Sequence, residues 1–201
     1  MLLVGRVGGA VLAVLVVVLT SACSVEGSGT PVPPTSAEAL PDGVAELPPR
    51  PREVRLDGVD PCSLLTEEQR AELGLDAQPL SSQAPVGLYD GVEVPLCTIG
   101  GFEPRAVTAG VSLVTSVGIE RYSSGELAAE IRPSTVHGFP AVVAIPTRFT
   151  EYCTVIVDVA EGQLIDVQFR DGGRRPPIPQ LQLCRDAEIV AGAVMTTLLD
   201  R

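Results

Sequence analysis

The chain has 201 residues, a formal charge of −11, no tryptophan and an aromatic content of only 3%. Such an acidic surface repels polyanions, which argues against nucleic acid or anionic lipid as an electrostatic partner. It contains no lysine, so it cannot build a P-loop, whose lysine must reach the phosphates.

The first 22 residues have the three parts of a secretory signal. Arg6 supplies positive charge, VLAVLVVVL (residues 11–19) is apolar, and the small residues Ser21 and Ala22 precede Cys23. The apolar run is shorter than the roughly 20 residues that a spanning helix needs, so a cleaved leader over residues 1–22 is expected. LTSAC (residues 19–23) resembles a bacterial lipobox, in which the cysteine is acylated and becomes the mature N-terminus. Thr20 departs from the aliphatic residue usual there. Cys23 is expected to carry the lipid and hold the protein on the extracytoplasmic face of the cell membrane. Residues 23–58 are rich in Pro, Gly and small polar residues and should form a disordered or partly extended tether, with a reach of about 30–35 Å. A single α+β domain is expected over residues 59–201.

Four cysteines fall within that domain: Cys62, Cys97, Cys153 and Cys184. In an oxidising compartment an even set reads as two disulfides. Zinc is disfavoured by the absence of CxxC or HxxxH spacing and by a single histidine, His137. Of the three pairings, Cys62–Cys97 with Cys153–Cys184 is preferred, because each staples a terminal helix to a nearby strand. Each would contribute about 3–4 kcal/mol by the chain-entropy argument. No metal or cofactor is expected.

DPCSLLTEEQRAELGL (residues 60–75) opens the domain. Asp60 and Pro61 can start a first turn; Thr66 and Gln69 match a capping box, and Gly74 supplies the stop. Leu64, Leu65, Ala71 and Leu73 are expected to face the core. GVEVPLCTI (residues 91–99) is a strand candidate, with Pro95 suggesting an edge. In AVTAGVSLV (residues 106–114) Val107, Ala109, Val111 and Leu113 alternate with small or polar residues, as in a half-buried strand. IERYSSGELAAEIR (residues 119–132) is expected to hold one or two short helical turns ending before Pro133, and FPAVVAI (residues 139–145) is a further strand candidate. CTVIVDVAEGQLIDVQF (residues 153–169) is a hairpin. A three-residue loop, Ala160-Glu161-Gly162, would bring Val155, Val157 and Val159 onto the same face as Ile165, Val167 and Phe169, with positive φ at Gly162. RDGGRRPPIP (residues 170–179) is a loop. In the last helix Cys184, Ala187, Val190, Ala191, Val194 and Leu198 form an apolar stripe that should cover the sheet. The expected architecture is α+β: an antiparallel sheet of about five strands covered by a short N-terminal helix and a C-terminal helix, in two layers.

Catalytic signatures are missing. The chain has neither G-x-S-x-G nor H-E-x-x-H, and no G-x-G-x-x-G follows a strand. His137, in VHGFPAV, reads as a structural histidine before a strand. Arg174 and Arg175, after Asp171-Gly172-Gly173, are a candidate anion site but read more simply as a solvated loop. Pro140 reads as shaping the entry to a strand rather than as a strained or cis bond.

LTSAC, the Pro-rich tether, DPCSLLTEEQRAELGL, PLC, GFPAV, CTVIVDVAEGQ and LCRDAEIVAGAVMTTL follow one another in this order. Together they resemble the actinobacterial lipoproteins grouped as domain-of-unknown-function family 3558. Ile99 departs from the tryptophan that this family often has two places after its second cysteine. The resemblance implies a cell-envelope address and brings no catalytic residues. The expected role is a lipid-anchored, non-enzymatic module that binds another envelope protein or a cell-wall component. A carrier of an apolar small molecule is the alternative, and an envelope hydrolase is the third reading.

Overall fold

The computed structural model of the chain describes residues 47–85, 91–123, 125 and 127–201. Residues 1–46, on which the expected leader, Cys23 and most of the expected tether fall, lie outside the described residues. A 3-10 turn (Pro61–Leu64) and helix α1 (Glu67–Leu73) begin the ordered elements. Strands β1 (Leu80–Pro85), β2 (Glu93–Gly101) and β3 (Val107–Val114) follow, then a second 3-10 turn (Ile119–Ser123). Strands β4 (Ala129–Val136), β5 (Phe139–Pro146), β6 (Tyr152–Ala160) and β7 (Gln163–Asp171) lead to helix α2 (Gln180–Leu199). All pairings are antiparallel, and the strands form one sheet in the order β1-β2-β3-β7-β6-β5-β4.

The α+β class and the antiparallel sheet stand, but among the described residues the sheet has seven strands rather than about five. The two additional strands lie at its edges. β1 lacks apolar alternation because an edge strand of polar residues has little to bury. Residues 129–132, expected to be helical, belong to β4, which runs through Pro133 opposite Val142. An edge strand tolerates proline because a nitrogen that faces solvent gives up no ladder bond. Pro95 lies instead in β2, which β1 and β3 flank. It escapes penalty because pairing with β3 begins only at Leu96, leaving Pro95 paired with Gln83 alone.

Capping made the N-terminal helix legible. Asp60 accepts from the Cys62 N–H at 3.0 Å. Thr66 Oγ1 accepts from Gln69 N at 3.1 Å, and Gln69 Oε1 accepts from Thr66 N at 2.8 Å. Helix α1 does not cover the sheet, however, and none of its residues is buried. Ala71 is exposed, while Leu73 is half-buried against the core as expected; the fully buried contacts come from Leu64, Leu65 and Leu75 on either side. The helix instead meets α2: Gln69 donates to the Ala193 carbonyl at 3.2 Å and accepts from Thr197 at 3.0 Å.

Helix α2 buries Leu183, Cys184, Ala187, Val190, Ala191, Val194, Met195 and Leu198. The sheet face beneath it is continuous: Ala109, Val111 and Leu113 of β3 stand beside Phe169, Val167 and Ile165 of β7. Cys153, Val155 and Val157 of β6 complete the row. The β6–β7 register is the one that burial demands, with Val157 opposite Ile165 and φ +66° at Gly162. The turn itself is shorter than expected. Ala160 stands opposite Gln163, so two residues, Glu161 and Gly162, form it, and a bulge between Asp158 and Ala160 takes up the odd residue.

Two disulfides fix the helical elements to this layer. Cys62 bonds Cys97 (S–S 2.02 Å) and Cys153 bonds Cys184 (2.15 Å). The first ties the opening turn to β2 and the second ties α2 to β6.

The opposite face is divided. Val94, Val114, Val142, Ala144, Ile156 and Leu164 form a second apolar cluster with Tyr122, and Leu47 and Ile119 pack against it. Strands β5 and β6 are thus buried on both faces, which is why their sequences read as unbroken apolar runs. The described residues before 59 are also docked. Arg50 pairs with Asp158, Val54 N donates to the Val159 carbonyl at 2.8 Å, and Leu56 N donates to Gln163 Oε1 at 2.8 Å. Residues 47–59 therefore form an extended strap docked on the β6–β7 hairpin.

Candidate functional site

Beyond the second cluster the sheet face turns polar. Directly opposed residues form a row across the strands: Ala144, Thr154, Gln168, Gly110 and Thr98. Above this row a groove of about 340 Å³ opens between the end of β5 and the segment after the second 3-10 turn. Thr154, Asp166, Gln168 and Ala144 form its floor; Tyr122, Leu127, Pro146, Arg148, Phe149 and Tyr152 rise around it.

Backbone clips hold these walls. Gln180, at the start of α2, donates to the carbonyls of Pro146 and Phe149, both at 2.9 Å. Thr147 donates through its backbone N and its hydroxyl to the Ala128 carbonyl, both at 3.0 Å. The β5–β6 loop is thereby fastened at two points, and Phe149 sits at a fixed place on the rim. Its ring lies 6.3 Å from that of Tyr152, inclined by 27°. Phe149 is 53% exposed. Burial, and secondarily the charge of Glu151, pushes the Tyr152 hydroxyl above its usual 10.0, so it stays protonated at neutral pH. Tyr122 is buried, and its hydroxyl lies 3.5 Å from Asp166 Oδ2.

The residues singled out from sequence lie elsewhere. His137 and Gly138 form the two-residue β4–β5 turn, both with positive φ (51° and 79°). The His137 ring reaches the α2 side of the sheet, where Nε2 lies 3.1 Å from the Gly192 carbonyl and 3.1 Å from Thr196 Oγ1. This is a structural contact between a hairpin and a helix. Pro140 lies within β5 opposite Thr135; among the described residues the cis peptide bonds are Glu103–Pro104 and Arg175–Pro176.

Arg174 lines a second, larger cleft of about 760 Å³ with Thr108, Arg170 and Gln180, but Glu151 and Asp171 line it too. The Asp171 carboxylate accepts from Gly173 N (2.6 Å), Arg174 N (3.0 Å) and Ile178 N (2.6 Å). Burial pushes this carboxyl up, but those three N–H groups and the Arg174 charge outweigh it and leave it below its usual 3.8. The backbone donors that an anion would need are therefore already taken by an internal carboxylate. Arg175 is exposed beside Pro176. Among the described residues no group of three or more His, Cys, Asp or Glu side chains is placed to hold a metal ion. No helix among them is long and apolar enough to cross a membrane.

Sequence reading missed the groove because its residues come from three separated segments. One signal was present: Phe149 is an aromatic in a loop, in a chain with only four phenylalanines and three tyrosines.

These features define a disulfide-stapled α+β domain with one sheet face under a helix and the other partly open. The chain belongs to the family described as Protein of unknown function (DUF3558), which it matches over residues 18–197. No curated protein and no solved structure matches it.

Proposed function

We propose that this protein is a lipid-anchored binding module of the cell envelope. Acylated Cys23 would hold it at the membrane, and the groove on the open sheet face would engage an extracytoplasmic component. The observation that supports this most is the groove: three of the chain's seven aromatic residues line it, together with Thr154, Asp166, Gln168 and Arg148. Small-molecule sites combine apolar walls with a few placed polar groups in this way, at volumes of roughly 300–1,000 Å³.

The lining is more apolar than polar, so a carrier of an apolar small molecule stays the alternative reading; the placed groups Thr154, Gln168 and Arg148 are what favour a ligand with polar groups. A hydrolase reading loses its obvious base, since His137 is engaged with α2 on the other side of the sheet. Native mass spectrometry of the full chain extracted in detergent tests the proposal. Acyl mass on the peptide that begins at Cys23 and a retained non-covalent mass are expected. A water-soluble protein with an unmodified Cys23 would remove the anchor, and with it the envelope address.

A further inference from the structure

We infer that the groove binds a neutral glycan, with sugar rings laid on Phe149 and Tyr152 and their hydroxyls read by Thr154, Gln168 and Arg148. The inference rests on the binding-module reading above and names its ligand class.

Thr154 carries the argument. The residue is 8% exposed and lines the groove, and no side-chain hydrogen bond ties its hydroxyl to another described residue, so the hydroxyl is available to a molecule in the groove. The Gln168 amide, directly opposite Thr154 on the next strand, also has no partner among the described residues. The two side chains thus present a donor and acceptor pair side by side, one an amide and the other a hydroxyl. Neighbouring sugar hydroxyls need such a pair, because each both donates and accepts.

The aromatic rim meets the other half of a sugar's chemistry. A pyranose ring has one face of C–H groups, and an exposed aromatic face covers it well. Phe149 gains little from folding where it stands, half exposed on the rim, but its position beside Tyr152 makes a broad apolar platform. Charge favours a neutral ligand: Arg148 and Asp166 share the lining, and the chain's −11 repels an anionic polymer. The row continues past Gln168 to Gly110, where a Cβ would lie 3.6 Å from Leu96 Cδ1 and 4.0 Å from Gln168 Cβ, so the Leu96 side chain bounds the site on that side.

The test uses the full chain in a detergent without a sugar headgroup, titrated with short neutral oligosaccharides of hexose and pentose units. A uronic-acid oligomer and a fatty acid serve as comparisons, read by tyrosine fluorescence and saturation-transfer NMR. At least one neutral oligosaccharide should bind. Phe149→Ala should weaken it roughly tenfold, and Thr154→Val and Gln168→Ala about three- to tenfold each. Thr154→Val should leave the thermal midpoint nearly unchanged, because no hydrogen bond between described residues is lost. Binding that these variants leave untouched, or no binding by any neutral oligosaccharide, would overturn the inference. If only the fatty acid binds, and Phe149→Ala abolishes it, the glycan is wrong while the binding module survives.

Discussion

Arg50 Nη1 donates to both carboxylate oxygens of Asp158, at 2.9 and 2.7 Å, across 108 residues of sequence. This contact fastens the strap to β6, and the Asp158 side chain is only 8% exposed. Removing one partner of a largely buried pair leaves a charge without compensation, so Arg50→Ala should cost about 1–3 kcal/mol in urea unfolding at neutral pH. Burial holds the Asp158 carboxyl above its usual 3.8, although the hydrogen bond and charge of Arg50 pull it down. A raised carboxyl favours the fold while protonated and loses that contribution as pH rises through its folded value. The cost of Arg50→Ala should therefore shrink from neutral toward acid pH, as Asp158 takes up its proton. An equal cost at both pH values would show that the pair does not hold the strap.

Asp171 has the opposite sign. Its carboxyl lies below 3.8 in the folded protein, so its contribution is full above the unfolded value and is lost as pH falls through the lower, folded one. Asp171→Ala should cost about 2–3 kcal/mol at neutral pH by freeing three loop N–H groups. Asp171→Asn should flatten the acid limb of the stability profile below about pH 3.8. Chemical denaturation across the acid range checks both.

His137 separates a structural histidine from a catalytic one. Its φ of 51° suits glycine better than alanine, so His137→Ala should be about 1 kcal/mol less stable than His137→Gly. Neither should change ligand affinity. A loss of binding in both would place the ring in the site.

The Cys153–Cys184 bond joins residues separated by 31 positions. The double replacement by alanine should lower stability by about 3–4 kcal/mol, with the α2 amides losing hydrogen-exchange protection before the rest of the sheet. Uniform loss would mean that α2 and the sheet open as one unit.

Elements whose signal is local were legible. Thr66 and Gln69 cap α1 because two side chains three residues apart meet wherever that turn forms, and the α2 stripe reports burial directly. The β6–β7 register followed from placing Val157 and Ile165 on one face, although the bulge near Val159 did not. The edge strands escaped for two reasons: β1 leaves no period-two trace, and in β4 Pro133 argued against the short alternation of Ala129 and Ile131 with Glu130 and Arg132. The groove was invisible for a different reason. Thr154 and Gln168 look like the polar half of two alternating strands, and only pairing across the sheet, beside a loop clipped by Gln180, sets them beneath Phe149.

The proposed site lies on the open sheet face. A photocrosslinking residue at position 128, an exposed wall of the groove, with a second at position 189 on the exposed side of α2, would report what each face touches in intact envelopes. Position 128 should give a discrete glycan-bearing adduct that Phe149→Ala removes, and position 189 should give none. An adduct from position 189 alone, or equal labelling from both, would contradict a binding site on this face.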